Sequence, residues 1–189
     1  MAKKIEMRWV LFGIFALIVA AVLIFVNFVH PLESEREEFD NEYFTFFSLN
    51  DTDGNTFGGK ELGESQVTLF NAWYTACGPC IKEMPDLQRI YEEYDRETLG
   101  IAGIVADYSN SGEGYQEEVT EVIKSCGVKY PILLGDDEFD EKIKYMTGDT
   151  YPFTWVVDRN GRIIDVVTGR LSYDEWKERI TFWLSEASL

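Results

Sequence analysis

Residues 66–80, QVTLFNAWYTACGPC, set a nearly unbroken apolar run directly before two cysteines separated by two residues. An apolar run of this length reads as a β-strand covered on both faces. Beyond it Met84, Leu87, Ile90, Tyr91 and Tyr94 recur at helical spacing, so a helix begins at the cysteine motif. Pro85 falls inside that helix and is expected to kink it near its first turns. A doubly covered strand running straight into a helix demands a sheet with helices on both sides, and the rest of the chain can be tested against that demand.

The pattern agrees. LGIAGIVAD, from Leu99, reads as a second buried strand. Tyr115, Val119, Val122, Ile123 and Cys126 then form a helical stripe that Gly127 is placed to stop. YPILLG from Tyr130 is a short strand, and DDEFDEKIKYM from Asp136 a short helix. Residues 153–169 read as a hairpin turning at Arg159, Asn160 and Gly161, and upstream YFTFFSLNDTDGNTFGG from Tyr43 reads as a strand pair around DTDGN. Ser172 and Glu175 have capping-box spacing and open a last helix that buries Trp176, Ile180, Trp183 and Leu184. The order is ββ, β, α, β, α, β, α, ββ, α. Alternation in the middle implies parallel crossovers, and the closing hairpin implies antiparallel strands at an edge. The expected class is α/β, with a mixed central sheet flanked by helices.

The 189 residues leave room for one such domain and a small appendage. Trp9 to Val29 is a stretch of 21 residues without a charge. At about 1.5 Å per residue it spans the roughly 30 Å hydrocarbon layer as a helix. Lys3, Lys4 and Arg8 precede it and Glu33, Glu35, Glu37, Glu38 and Asp40 follow, so the N-terminus is expected inside and the remainder outside. A cleaved signal peptide is the competing reading, but its apolar region is usually about 7–15 residues long and ends at a small-x-small site, which VNFVHP lacks. The expected organisation is a cytoplasmic N-terminus at 1–8, a transmembrane anchor at 9–29, an acidic tether at 30–41 and an extracytoplasmic domain at 42–189.

Past residue 29 the chain carries 14 basic and 33 acidic side chains. That balance repels nucleic acid and anionic lipid surfaces. Three cysteines make no disulfide framework for a domain of this size, so the first two are expected to be working residues. At a helix N-terminus, unpaired amides and the helix dipole lower the pKa of Cys77 and favour its thiolate. Cys80, one turn further on, can close a disulfide while shielded from outside, and Pro79 brings no N–H that needs a partner. A structural zinc site would have to recruit Cys126 and His30, the latter on the tether, and no metal ligand set or cofactor is assigned. A peroxidatic cysteine in a P-x-x-x-T-x-x-C context is disfavoured, because Phe70 and Tyr74 stand at those positions. A purely structural bridge across so small a loop would stabilise little. Cys126, on its apolar stripe, is expected to be buried and inert.

LFNAWYTACGPCIKEMPDL, together with FTFFSLNDTDGNTFGG and TYPFTWVVDRNGRI, resembles the TlpA/ResA branch of the thioredoxin superfamily. These are membrane-anchored thiol–disulfide oxidoreductases of the bacterial extracytoplasmic side. The resemblance covers nearly all of the outward domain and implies a thioredoxin-like fold with the early β-hairpin as an addition. It implies Cys77 as attacking thiol, Cys80 as resolving thiol, and Pro152 as the cis-proline that lies against the pair and presents backbone to substrate. Tyr151 before it narrows the peptide groove. Glu83 matches the acidic residue this branch carries three positions after its second cysteine.

Thioredoxins keep a buried Asp six positions before the first cysteine, and Asn71 stands there, unable to titrate. Glu83, one helical turn from Cys80, is the nearest group to take its proton. The alternative is a solvated carboxylate on an acidic surface. Ala76 departs from the usual Trp before the first cysteine, leaving Trp73 or Tyr74 to supply an aromatic wall. The implied function is reduction of client protein disulfides, with electrons from a membrane carrier of the CcdA/DsbD type. Clients in such families include apocytochrome c, spore-envelope proteins and methionine sulfoxide reductase. The alternatives are a disulfide-donating oxidase and a redox-inert binding module or metallochaperone.

Overall fold

The computed structural model describes residues 48–106, 108, 112–148 and 150–187. The anchor read at 9–29, the tether at 30–41 and the start of the early strand lie outside these residues. Among the described residues, no helix is long and apolar enough to cross a membrane.

The central strand β3 (Val67–Trp73) is buried at every position, as its uninterrupted apolar run requires. It pairs in parallel with β4 (Leu99–Val105), from Val67 opposite Leu99 to Trp73 opposite Val105. On its other side it pairs antiparallel with β6 (Phe153–Asp158), Ala72 lying opposite Phe153. β5 (Ile132–Leu134) continues the parallel set beyond β4, and β7 (Ile163–Thr168) closes the far edge against β6. β1 (Leu49–Asp51) and β2 (Thr56–Phe57) form the early hairpin. The seven strands make one sheet in the order β2-β1-β5-β4-β3-β6-β7. The hairpin is thus a sheet extension, β1 running antiparallel to β5.

Four longer helices are described around this sheet: α2 (Gly78–Glu93), α3 (Tyr115–Cys126), α4 (Asp137–Thr147) and α5 (Tyr173–Glu186). A single helical turn, α1 (Gly59–Leu62), is additional to the expected order. Glu61 fixes its start by accepting the Gly58 N–H at 2.8 Å. Gly127 ends α3 with φ +67, a left-handed conformation that costs a residue with a Cβ dearly and glycine almost nothing. Gly161, at φ +83, turns the β6–β7 hairpin and donates its N–H to the Asp158 carbonyl.

The core lies between β3 and β4 and the helices that cover them. It includes Leu69, Trp73, Met84, Leu87, Ile90, Leu99, Trp176 and Ile180, all buried. Each fully buried large apolar side chain contributes about 1.5–3 kcal/mol. α5 docks on α2 through Trp176 below and a polar cluster above. Glu93 accepts from the Tyr173 hydroxyl at 2.7 Å and pairs with Lys177 at 3.0 Å, while the Arg89 guanidinium stacks 3.7 Å from the Tyr173 ring centroid. Edge strand β7 is tied to α5 by Asp165, whose carboxylate accepts from the Val166 N–H and from Trp183 Nε1, both at 2.8 Å.

As expected, Pro85 lies inside α2, which runs on through it to Glu93. The missing N–H of Pro85 deprives the Ile81 carbonyl of its helical donor.

Candidate active site

Cys77 is the N-cap of α2 and is joined to Cys80 by a disulfide, their Cα atoms 5.3 Å apart. The loop from β3 tightens before it, the Cys77 N–H reaching the Tyr74 carbonyl at 3.0 Å. Ala76, Gly78 and Pro79 around the bond are exposed, whereas Cys77 is 3% exposed and Cys80 fully buried. The Cys80 N–H lies 3.3 Å from Cys77 Sγ. When the bond opens, this free first-turn amide faces the Cys77 sulfur and favours its thiolate, as a helix N-terminus does for any anion.

Glu83 is fully buried, which removes the reading of it as a solvated surface carboxylate. Its Oε1 accepts from the Leu171 N–H at 2.7 Å and from Trp176 Nε1 at 3.1 Å. Its Oε2 accepts from Asn71 Nδ2 at 3.2 Å, and Asn71 Nδ2 also donates to Thr154 Oγ1 at 2.9 Å. Burial raises its pKa from the ordinary 4.5 to about 7, against the opposing pull of the Leu171, Trp176 and Asn71 donors and the Arg170 charge. A carboxyl so tuned can hold or release a proton near neutrality, one helical turn from Cys80.

The Tyr151–Pro152 peptide bond is cis. Because Phe153 lies opposite Ala72, the register brings Pro152 to the end of β3 from which the cysteine loop departs. Tyr151 packs edge-on against Tyr74, ring centroids 5.4 Å apart. Of the two aromatics that could replace the missing Trp at Ala76, Trp73 is committed to the core, and Tyr74 joins Tyr151. The loop is also braced from α3. The Tyr115 hydroxyl lies 3.5 Å from the Thr75 N–H, and Thr75 Oγ1 lies 3.5 Å from Glu118 Oε2.

Sequence reasoning singled out Cys77, Cys80, Glu83, Tyr151 and Pro152 but not Leu171 and Trp176, the donors that hold the carboxylate. The signal for Glu83 itself was its place three positions after Cys80, with Asn71 standing where thioredoxins keep an Asp. The structure adds that Cys80, Glu83, Met84, Leu87 and Ile90 share one buried face.

Cys126 is half-buried, and its Sγ donates to the Ile81 carbonyl at 3.6 Å, the group that Pro85 leaves without a helical partner. The thiol completes a hydrogen-bond account and has no need of redox chemistry. Cys126→Ala is expected to leave turnover intact and cost about 1 kcal/mol, with Cys126→Ser milder. Denaturant titrations beside a disulfide-reduction assay read both, and lost turnover in the Ala variant would contradict the assignment.

A disulfide that bridges the first turn of a helix, on a mixed sheet with a cis-proline at the matching strand end, is made for reversible thiol exchange. The chain is a thiol–disulfide oxidoreductase of the thioredoxin superfamily, with Cys77 and Cys80 as its pair. It belongs to the AhpC/TSA family, whose model matches residues 41–166. The thiol-disulfide oxidoreductase ResA of Geobacillus thermodenitrificans is 26% identical over 134 residues, 71% of this chain and 72% of that one. ResA of Bacillus subtilis is 29% identical over 67% of this chain and 65% of its own length. Among solved structures, StoA from Bacillus subtilis superposes with a TM-score of 0.56 at 23% identity, over 70% of this chain and 93% of that one. A thioredoxin-family thiol:disulfide interchange protein from Chlorobium tepidum gives 0.62, also at 23% identity, over 73% of this chain and 92% of its own. These two likenesses are to the fold.

Proposed function

We propose that the protein is a membrane-anchored, extracytoplasmic reductase of client protein disulfides. The observation that carries this reading is the buried, hydrogen-bonded Glu83 carboxyl one turn beyond a disulfide at a helix N-terminus. In the reduced protein the Cys77 thiolate attacks one sulfur of a client disulfide. That bond breaks, the other client sulfur leaves as a thiolate, and a mixed disulfide forms. Glu83 then takes the Cys80 proton, and the Cys80 thiolate attacks Cys77 Sγ and releases the second client thiolate. Two electrons pass to the client, and the protein is left with the Cys77–Cys80 bond. Tyr151 and Pro152 form the groove wall against which the client backbone lies.

Re-reduction then requires an electron donor on the same side of the membrane, and a CcdA/DsbD-type carrier supplies that chemistry. The basic flank before residues 9–29 and the acidic one after it support the outward orientation. Gly78 and Pro79 between the cysteines are shared with thioredoxins, whose potential is about −270 mV.

Equilibrating the full-length chain against thiol buffers tests the direction of exchange. A potential near that of thioredoxin supports a reductase, whereas one near the roughly −120 mV of a strong oxidant supports disulfide donation. Labelling of intact cells with a membrane-impermeant thiol reagent should reach reduced Cys77, and protection of Cys77 would contradict the topology.

A further inference from the structure

Glu83 is held chiefly from outside its own helix, and by groups far away in the chain. We propose that Trp176 is a positioning residue for thiol exchange: with the Leu171 amide it occupies Oε1 of the Glu83 carboxylate and leaves Oε2 to take up the Cys80 proton. This rests on the reading of Glu83 as proton acceptor given above.

The two carboxylate oxygens are not equivalent. Each has two in-plane lone pairs. Oε1 receives two N–H donors, at 2.7 Å from Leu171 and 3.1 Å from Trp176, so both its lone pairs are engaged. Oε2 receives one donor, Asn71 Nδ2 at 3.2 Å, and keeps a lone pair for a proton. The indole cannot swing aside, because Trp176 is fully buried with its ring centroid 6.2 Å from that of Trp183. Its place is fixed by the start of α5. There Ser172 and Glu175 form the capping box, Glu175 Oε2 accepting from the Ser172 N–H at 2.8 Å and hydroxyl at 2.6 Å.

Few charged groups compete. On its own helix Glu83 is followed by Asp86, which pairs with Arg170 at 3.4 Å, and preceded by the cysteine pair. From the loop before α5, Arg170 favours the ionised form. From the segment before β5, the Tyr130 hydroxyl is pushed up by its burial and then by the Glu83 charge. β3 and β6 contribute the neutral Asn71 and Thr154.

The indole N–H bonds the ionised carboxylate, so removing it favours the protonated form. Protonated Glu83 cannot accept the Cys80 proton, and exchange therefore accelerates as pH rises through the Glu83 titration. Trp176→Phe keeps the aromatic bulk and is expected to move that titration, and the rate limb with it, to higher pH by about one unit. On the acid side this is roughly a tenfold loss of rate.

The experiment follows the Glu83 side-chain carboxyl by carbon NMR in the full-length oxidised chain, wild type and Trp176→Phe, beside the pH–rate profile of disulfide reduction. A shift to higher pH in both readouts supports the proposal. A Glu83 titration unmoved by the substitution overturns it. A Glu83 titration that moves while the rate limb stays overturns the proton-acceptor reading on which it rests. Should the Phe variant fail to fold, the wild-type Trp176 indole N–H resonance decides. A resonance that follows the Glu83 titration supports the contact, and one that ignores it overturns the proposal.

Discussion

Cys77→Ser will abolish disulfide exchange, and Cys80→Ala will convert the protein into a trap. The two cysteines are expected to fail differently because their settings differ. Cys77 caps α2 between exposed Ala76 and Gly78, and the Cys80 N–H points at its sulfur from 3.3 Å. It is the sulfur a client can reach. Removing it leaves Cys80, fully buried beneath the first turn, with no route to a partner. Turnover should fall by about three orders of magnitude or more, as it does when a covalent nucleophile is deleted. In Cys80→Ala the first attack proceeds and the second has no thiol to make it. The client then stays bonded to Cys77 and runs as a reducible adduct on a non-reducing gel. An adduct that forms through Cys80 in the Cys77 variant would exchange the two roles. Undiminished turnover in Cys80→Ala would mean that an outside thiol resolves the intermediate.

Much of this arrangement could be read from residue order, and what could not shares a physical cause. The strand before the motif was legible because β3 is covered on both faces and admits no polar alternation. α3 was legible to its last residue, since its stripe ends where Gly127 takes a conformation costly for other residues. Contacts between residues remote in the chain were not legible. Trp176 reads as one more apolar position on the last helix, and nothing in its neighbourhood announces a hydrogen bond to a residue 93 positions earlier. The same holds for Cys126 and the Ile81 carbonyl, 45 positions apart. α1 escaped because four residues are too few to show a period. In a chain this acidic a solvated surface carboxylate was the alternative for Glu83, and its burial on the face of α2 that holds Cys80, Met84 and Leu87 removes it.

Glu83→Gln will slow exchange and make the protein more stable above neutrality. With its carboxyl pKa raised from 4.5 to about 7, the folded chain keeps a proton that the unfolded chain releases across that interval. Below about 4.5 both states are protonated and Glu83 contributes no pH dependence. Between about 4.5 and about 7 the folded state binds more protons, so stability falls as pH rises, and above about 7 the loss levels off. A shift of this size corresponds to about 3 kcal/mol. Gln has the same shape and can accept from Leu171 and Trp176 at Oε1, but carries no charge to bury. Its amide meets Asn71 Nδ2 as donor against donor, which costs about 1 kcal/mol unless Asn71 turns over. The variant should therefore gain about 1–2 kcal/mol on the alkaline side, gain nothing on the acid side, and lose the slope between them. Its rate of disulfide reduction should fall and lose the limb that follows the Glu83 titration, because an amide cannot take the Cys80 proton. Denaturant titrations on either side of neutrality read the first effect, and a pH–rate profile the second. Equal stability slopes in the two proteins would mean that burial does not raise this carboxyl, whereas superimposable rate profiles would mean that the proton leaves Cys80 by another path. Together the two measurements separate what the buried carboxyl costs the fold from what it does for the chemistry.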